Sequence, residues 1–288
     1  MLKAKNLNII SFLIFFLGLS MIPSSLWSLS SVSFFNYSDR NFFDFIAIIK
    51  SSSITCLSGL LLYFITRFSG KNKKNDLKEK DGFIIVTLGW IFCVLFSSLP
   101  YYFSSTPLSF TNSFFESMSG LTTTGATILG DSSTYQIEEL SIGILFWRSF
   151  TQFIGGMGII VFSIAILPIL GIGGVQLFRA EVAGPVAEKI TPRVKQTAKL
   201  LWGIYVGLVL FQTLILKLEG MTLFDSLCHS FTTIATGGLS TKNASIAAFN
   251  STTIELTIII FMILAATNFS LHYLFLAKGK FDYFKDEE

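Results

Sequence analysis

Two short stretches rich in threonine and glycine contain the residues best suited to chemistry. The first lies within Ser119–Thr127 and the second within Thr232–Ser240. Glycine permits backbone angles that aim successive carbonyl oxygens towards one axis. Together with threonine hydroxyls, such oxygens can replace the hydration shell of a cation. The alternative is that these residues only allow helices to pack closely. The residue types therefore predict a cation site formed by Thr122, Thr123, Thr124, Gly125, Ala235, Thr236, Gly237 and Gly238.

Each stretch follows an apolar segment that is too short to cross a membrane. These segments are Phe110–Leu121 and roughly Thr222–Ile234. Twelve to fourteen residues form about 18–21 Å of helix, whereas the hydrocarbon layer is about 30 Å thick. We therefore predict two re-entrant half-helices, each followed by a non-helical loop at membrane depth. Such a loop is tolerated where it is buried in protein or lines a wet cavity. The negative C-terminal end of each helix dipole favours a cation there.

The composition is that of a membrane protein. Of the 288 residues, 51% are hydrophobic and 14% are charged, against about 25% charged in soluble domains. The first long apolar segment could be a signal peptide, but it is long and no small-residue cleavage site follows it. The predicted fold class is an all-α integral membrane protein with two re-entrant half-helix and filter loops. Its six transmembrane helices are predicted at Leu7–Leu29, Phe42–Thr66, Phe83–Phe103, Ile142–Leu170, Leu200–Leu218 and Thr253–Ala277.

The basic residues predict the orientation of these helices. Sixteen of the 21 lysines and arginines fall at the N-terminus, after the second and fourth spans, and after the sixth. Because cytoplasmic loops are enriched in lysine and arginine, both termini are predicted to be cytoplasmic. Lys50 lies inside the second span, where it could extend to the interface or pair with Asp44.

The order of elements repeats along the chain: span, half-helix, loop, span. The first copy is Phe83–Leu170 and the second is Leu200–Ala277. Matching Gly125 to Gly237 gives an offset of 112 residues and places Thr124 on Thr236. Repeats that contain a broken segment at membrane depth indicate a substrate pathway at their interface.

Several other polar residues are candidates for a functional role. Glu116, on the first half-helix, is interpreted either as a cation attractor at the outer mouth or as a brace that accepts hydrogen bonds from filter amides. Asp225 is expected to complement the dipole of the second half-helix. His229 and His272 lack a second ligand at metal spacing and are interpreted as packed polar residues.

Other classes of function find no support in the sequence. The three cysteines lie in apolar sequence without disulfide or zinc spacing. No cluster of acid, base, nucleophile or metal ligand indicates an enzyme. The net charge of +3 comes without a concentrated basic face or a nucleic-acid-binding motif. We therefore predict a non-enzymatic protein that needs no cofactor and binds no nucleic acid.

The same residues resemble a known family. Phe115–Thr127 is similar to the first pore loop of the Trk-type potassium uptake transporters, and His229–Ser245 is similar to the second. Arg148–Gly158 and Leu170–Glu181 resemble the helix and cytoplasmic loop that follow the first pore loop, and Asn268–Tyr273 resembles the helix after the second. The likeness extends from the third span to the C-terminus. The first two spans match the extra N-terminal hairpin of TrkH-like members.

The resemblance implies potassium transport across the bacterial inner membrane through a filter in which Gly125 and Gly237 are the central glycines. It divides the chain into an N-terminal hairpin (1–81), a first pore repeat with its cytoplasmic linker (82–198) and a second pore repeat with its tail (199–288). It also implies a cytosolic nucleotide-binding regulatory subunit, TrkA-like, docked on the basic loop 171–199. Channel-like and proton- or sodium-coupled transport (symport) both remain open.

The family's pore contains four repeats, and this sequence contains two. The resemblance therefore implies a homodimer or a complementing chain that supplies the other repeats, with K⁺ and membrane lipid as further partners. The alternative is a non-conducting truncated fragment or one part of a split transporter.

Overall fold

The structure is a computed structural model that describes residues 4–31, 39–69, 79–130, 136–166 and 194–279. Within these ranges the regular elements are helical, as the sequence predicts. Short 3₁₀ turns lie at Ile137–Glu139 and Ser245–Phe249. The α-helices are α1 (Ala4–Ser20), α2 (Ile22–Ser30), α3 (Arg40–Ser69), α4 (Glu79–Ser97), α5 (Leu99–Phe103), α6 (Phe110–Leu121), α7 (Ile142–Ile166), α8 (Val194–Leu218), α9 (Leu223–Ile234), α10 (Thr252–Ala266) and α11 (Phe269–Lys278).

Four helical stretches in the described part of the chain are long and apolar enough to cross a membrane. They are Asn6–Ser30, Arg40–Phe68, Asp81–Phe103 and Lys199–Leu218. Their positions agree with the predicted first, second, third and fifth spans. Large apolar side chains along them are exposed on the protein surface, as is expected where lipid replaces water as the solvent. Examples are Phe16, Leu61 and Leu214, which are 63%, 63% and 56% exposed.

Two of these stretches contain a helix break near a proline. The first divides into α1 and α2 at Met21, just before Pro23, and the third divides into α4 and α5 at Ser98, just before Pro100. Proline lacks an amide hydrogen and its ring clashes with the preceding turn of helix, so an uninterrupted helix is disfavoured at both places.

The predicted sixth span, Thr253–Ala277, was wrong as one continuous helix. It divides into α10 and α11 at Thr267 and Asn268, where Thr267 has an extended backbone. Thr267 Oγ1 donates to the Leu264 carbonyl oxygen over 2.8 Å, and His272 Nε2 lies 2.9 Å from the same oxygen. These contacts satisfy a carbonyl that the end of α10 would otherwise leave without a partner.

Some predictions fall on residues outside those described. They are the end of the fourth predicted span, most of the basic loop 171–199, and the C-terminal tail.

Helix α7 lies at the centre of the fold and contacts α2, α3, α6, α8 and α9. Trp147 on α7 is fully buried, and its Nε1 donates to the Ser97 carbonyl over 3.0 Å. Phe153 of α7 and Phe231 of α9 pack with their ring centroids 4.7 Å apart. The helix that follows the first repeat's loop therefore also supports the short helix of the second repeat.

The N-terminal hairpin of α1 and α3 is closely packed at two glycines. A Cβ atom on Gly59 would lie 2.8 Å from the backbone nitrogen of Phe15, and one on Gly18 would lie 2.9 Å from that of Cys56. Small residues allow this approach of two membrane helices.

Lys50 contacts the ring of Phe103, and Asp44 pairs with Ser105. Its Nζ lies 4.0 Å from the centroid of the Phe103 ring, a cation–π arrangement. Asp44 is fully buried and accepts hydrogen bonds from the backbone nitrogen and the hydroxyl of Ser105.

Candidate functional site

The first loop, Thr122–Gly125, begins where α6 ends. The amides of Thr122, Thr123 and Thr124 donate to carbonyl oxygens in the last turn of α6, over 2.9, 3.1 and 3.0 Å. Thr123 and Gly125 have left-handed φ values of +56° and +73°. Because the amides turn back onto the helix, the loop's carbonyl oxygens are the backbone groups left to meet a ligand.

The second loop, Ala235–Gly238, repeats this backbone at the end of α9. The amides of Ala235, Thr236 and Gly237 donate into the last turn of α9 over 3.1, 3.0 and 2.8 Å. The left-handed residues are Thr236 and Gly238, with φ values of +56° and +73°. Both short helices have twelve residues, and each is capped by a hydroxyl side chain. The two copies therefore share one local structure.

The structure corrects the register between the copies. The left-handed residues recur 113 positions apart, from 123 to 236 and from 125 to 238. The predicted offset of 112 was wrong: Gly238 corresponds to Gly125, and Gly237 corresponds to Thr124. The offset of 112 paired glycines by identity, whereas the backbone requires left-handed φ at the fourth loop residue and not at the third. Of the predicted site residues, Gly237 therefore has a different role from the one its match to Gly125 implied.

The two loops touch each other. A Cβ atom on Gly125 would lie 1.9 Å from the Gly237 carbonyl oxygen. A Cβ atom on Gly237 would lie 2.3–2.5 Å from the side-chain amide of Gln152 on α7. The Oε1 atom of Gln152 accepts from the Leu239 backbone amide over 3.3 Å. Glycine is thus required at both 125 and 237 by close approach, and at 125 also by its left-handed backbone.

Helix α7 lies behind both loops. A Cβ atom on Gly155 would lie 2.0 Å from the Leu121 carbonyl oxygen at the end of α6. One on Gly156 would lie 3.2 Å from the Cα of Ala235 in the second loop. The glycines of the Gly155–Gly156 pair let α7 pack directly on the backbone at the start of each loop.

Glu116 lies one and a half turns before the first loop, with 0% of its surface exposed. Its Oε1 accepts from the Thr127 hydroxyl and the Ile128 amide, both over 2.6 Å. Its Oε2 lies 3.5 Å from Arg148 Nε on α7. The carboxylate therefore bonds the segment that follows the first loop, and it is enclosed by protein.

His229 occupies the position of Glu116 in the second copy. It is 2% exposed, and its Nε2 lies 3.0 Å from the hydroxyl of Ser240, the counterpart of Thr127. Its Nδ1 lies 2.8 Å from the Asp225 carbonyl oxygen. Sequence reasoning missed this equivalence. The signal was the cap residues: counting from the N-caps Ser109 and Thr222 gives the register of 113 directly.

Asp225 lies in the first turn of α9, where the negative charge complements the helix dipole. Its carboxylate also accepts from the hydroxyls of Thr222 and Thr241, over 2.7 and 2.6 Å. Among the described residues, no group of three or more His, Cys, Asp or Glu side chains is placed to hold a metal ion.

A cavity of about 390 Å³ adjoins the second loop. It is lined on one side by the polar backbone and hydroxyls of α9 and the loop, including Thr232, Thr236 and Gly238. Apolar side chains of α10, including Ile258 and Met262, form the other side.

Comparisons with known proteins agree with this architecture. Residues 48–286 match the TrkH family model, described as a cation transport protein. A Vibrio parahaemolyticus relative, named Trk system potassium uptake protein TrkH, is 47% identical over 226 residues, or 77% of this chain and 46% of the relative. A Halomonas elongata relative of the same name is 40% identical over 285 residues, or 98% of this chain and 55% of the relative.

A solved structure has the same fold. The crystal structure of the potassium transporter TrkH from Vibrio parahaemolyticus superposes with a TM-score of 0.79 at 36% sequence identity, covering 98% of this chain and 54% of that one. The chain thus spans about half the length of the curated relatives that it matches. The apolar helices and these matches identify a multi-pass membrane protein. The chain belongs to the TrkH family of cation transport proteins.

Proposed function

We propose that this chain takes part in the transport of K⁺ across a membrane and contributes two of the filter loops. The observation that carries the proposal is the repeated loop geometry. Two short helices end in loops of matching backbone, and the loops meet where Gly125 lies against the Gly237 carbonyl oxygen. The names of the relatives, Trk system potassium uptake protein, support K⁺ as the ion.

The proposed ion ligands are the carbonyl oxygens of Thr122–Gly125 and Ala235–Gly238, with the threonine hydroxyls. Removing an ammonium-sized ion from water costs on the order of 20 kcal/mol by a Born estimate, so a filter must replace that hydration with oxygens. The amides of Thr122–Thr124 donate back into α6 and those of Ala235–Gly238 into α9, so the loop carbonyls are the backbone groups left to meet an ion. The C-terminal dipole ends of α6 and α9 add negative potential at the same place.

The proposed membrane arrangement follows the sequence prediction. The chain crosses the membrane six times in a bacterial inner membrane, with both termini cytoplasmic, and α6 and α9 are re-entrant. Twelve residues of helix span about 18 Å, which supports that assignment for α6 and α9. A cytosolic nucleotide-binding regulatory protein is proposed to dock on the basic loop 171–199.

Cysteine labelling tests this orientation. Arg67 at the end of α3 and Ala248 in the turn after the second loop are both exposed. Arg67→Cys should be protected from a membrane-impermeant reagent added to intact cells, and Ala248→Cys should be labelled. If Arg67→Cys is labelled and Ala248→Cys is not, the orientation is the opposite of the one proposed.

Two loops supply about half of a ring of carbonyls, so we propose that conduction needs a partner. The partner is a second copy of this chain or a chain that carries two further repeats. Thr124, Thr236 and Gly238 are exposed on the described chain, which supports a contact surface beside the loops. A ring closed by protein on all sides would satisfy polar groups that are costly to leave at membrane depth.

Flux measurements on purified protein in vesicles test the proposed function. Crosslinking first establishes the number of copies, and K⁺ and Na⁺ uptake are then measured with and without a co-expressed chain carrying the remaining repeats. We expect K⁺-selective uptake from a dimer or a complemented assembly and none from a monomer. K⁺-selective uptake by a proven monomer would contradict the need for a partner. Absence of uptake from every assembly would identify a non-conducting fragment.

A further inference from the structure

One buried arginine connects the two loops. Arg148 on α7 is 1% exposed. Its Nε lies 3.5 Å from Glu116 Oε2, in the first repeat. Its Nη1 donates to the Ser240 backbone carbonyl over 2.8 Å, in the second repeat. The planar guanidinium has donors in several fixed directions, so one side chain can hold two acceptors at a set separation.

Each acceptor belongs to the segment that follows a loop. Glu116 in turn accepts hydrogen bonds from Thr127 and Ile128, which lie two and three residues after Gly125. Ser240 itself lies two residues after Gly238, and its hydroxyl is held by His229. The segments that follow the two loops are therefore both held by one guanidinium group, that of Arg148.

The charges explain why Arg148 forms its ion pair with Glu116 of the first repeat and contacts the second repeat through a backbone carbonyl. A buried arginine at membrane depth is costly unless a carboxylate compensates it, and Glu116 does so. His229, at the equivalent position of the second copy, bonds a hydroxyl and a carbonyl oxygen. The segment after the second loop thus contacts the Arg148 cation through the neutral backbone carbonyl of Ser240.

We infer that Arg148 is a positioning residue that sets the spacing of the two ion-binding loops, by holding Glu116 on one side and the Ser240 carbonyl on the other. The inference rests on the proposed function of the loops. Arg148 contacts no loop carbonyl directly, so its effect on ion choice passes through the segments that end the loops.

Two variants distinguish a positioning role of Arg148 from a role in stability alone. Arg148→Lys keeps the positive charge beside Glu116 but loses the second fixed donor. The double variant Glu116→Gln with Arg148→Gln removes both buried charges and keeps hydrogen-bonding side chains. Arg67→Gln is the control, because Arg67 is an exposed arginine at the end of α3.

The assay uses the assembly that conducts K⁺ and measures membrane protein level and the ratio of K⁺ to Na⁺ uptake. We expect Arg148→Lys to lower the ratio about tenfold, equivalent to about 1.4 kcal/mol of discrimination. The double variant should accumulate better than Glu116→Gln alone, because it buries no unpaired charge, but its ratio should stay low. Arg67→Gln should match the unmodified protein. A second readout is the melting temperature in KCl minus that in NaCl, which should shrink in both Arg148 variants.

An unchanged uptake ratio in either Arg148 variant would overturn the inference. So would failure of both variants to accumulate while the Arg67 control accumulates, since Arg148 would then serve only stability. An unmodified assembly without preference for K⁺ would instead contradict the proposed function.

Discussion

The two loops have the same backbone but different side chains around it. Behind the first loop, the carboxylate of Glu116 holds the Thr127 hydroxyl; behind the second, the imidazole of His229 holds the Ser240 hydroxyl. The third loop residue is Thr124 in one copy and Gly237 in the other. The loop shape is therefore set by the helix end and two left-handed residues, and different chemistry can secure it.

The loops also differ in their surroundings. Gly125 lies against the Gly237 carbonyl oxygen, whereas a Cβ atom on Gly238 would meet no atom of the described chain within 4 Å. The first loop is thus enclosed at its glycine by the second, and the second loop presents its equivalent glycine outward. Matched substitutions at equivalent positions can measure what this difference contributes.

The largest difference is expected at the residues that secure the loops. Glu116→Ala would leave Arg148 buried without its carboxylate and should destabilise the protein by about 3–5 kcal/mol. His229→Ala removes neutral hydrogen bonds and should destabilise by about 1–3 kcal/mol. Unfolding midpoints of the purified protein in detergent would compare the two. Equal losses would show that the Arg148 charge is compensated by something other than Glu116.

The next difference is expected at the left-handed glycines. An alanine at either Gly125 or Gly238 pays about 1–2 kcal/mol for its left-handed backbone. Gly125→Ala must also displace the Gly237 carbonyl oxygen, so it should abolish K⁺ uptake, whereas Gly238→Ala should retain a measurable part. Uptake normalised to membrane protein level is the measurement. A greater loss in Gly238→Ala would mean that the second glycine meets the more restrictive contact in the assembly.

The smallest difference is expected at the helix caps. Ser109 and Thr222 each accept a hydrogen bond from the third residue of the following helix, over 3.2 and 3.0 Å. Alanine at either cap should cost about 1 kcal/mol. Thr222→Ala should cost more, because Thr222 also donates to the Asp225 carboxylate. Thermal unfolding of the two variants side by side checks the order, and a larger loss for Ser109→Ala would contradict it.

The sequence predicted the elements better than the register between them. The bounds of α6 agree with the predicted Phe110–Leu121, and α9 begins one residue after the predicted Thr222 because that residue is its cap. These features are local, since they depend on apolar length and on capping hydroxyls. The offset of 112 failed because glycine identity was matched in place of backbone conformation.

The remaining features depend on contacts that no local pattern specifies. Arg148 lies 92 residues from Ser240 in the chain, and Gln152 lies 87 residues from Leu239. The break between α10 and α11 contains no proline or glycine and is held by Thr267 and His272. Sequence periodicity cannot reveal such long-range or side-chain-held features. The prolines in the first turns of α2 and α5, by contrast, are signals in the sequence of the breaks found there.

The position of a bound ion tests the central claim most directly. Rubidium is a heavier chemical substitute for potassium and can be located by its anomalous X-ray scattering in crystals of the conducting assembly. We predict an anomalous peak within contact distance of carbonyl oxygens from both Thr122–Gly125 and Ala235–Gly238. A strong rubidium peak elsewhere in the assembly, with none at these two loops, would contradict the account.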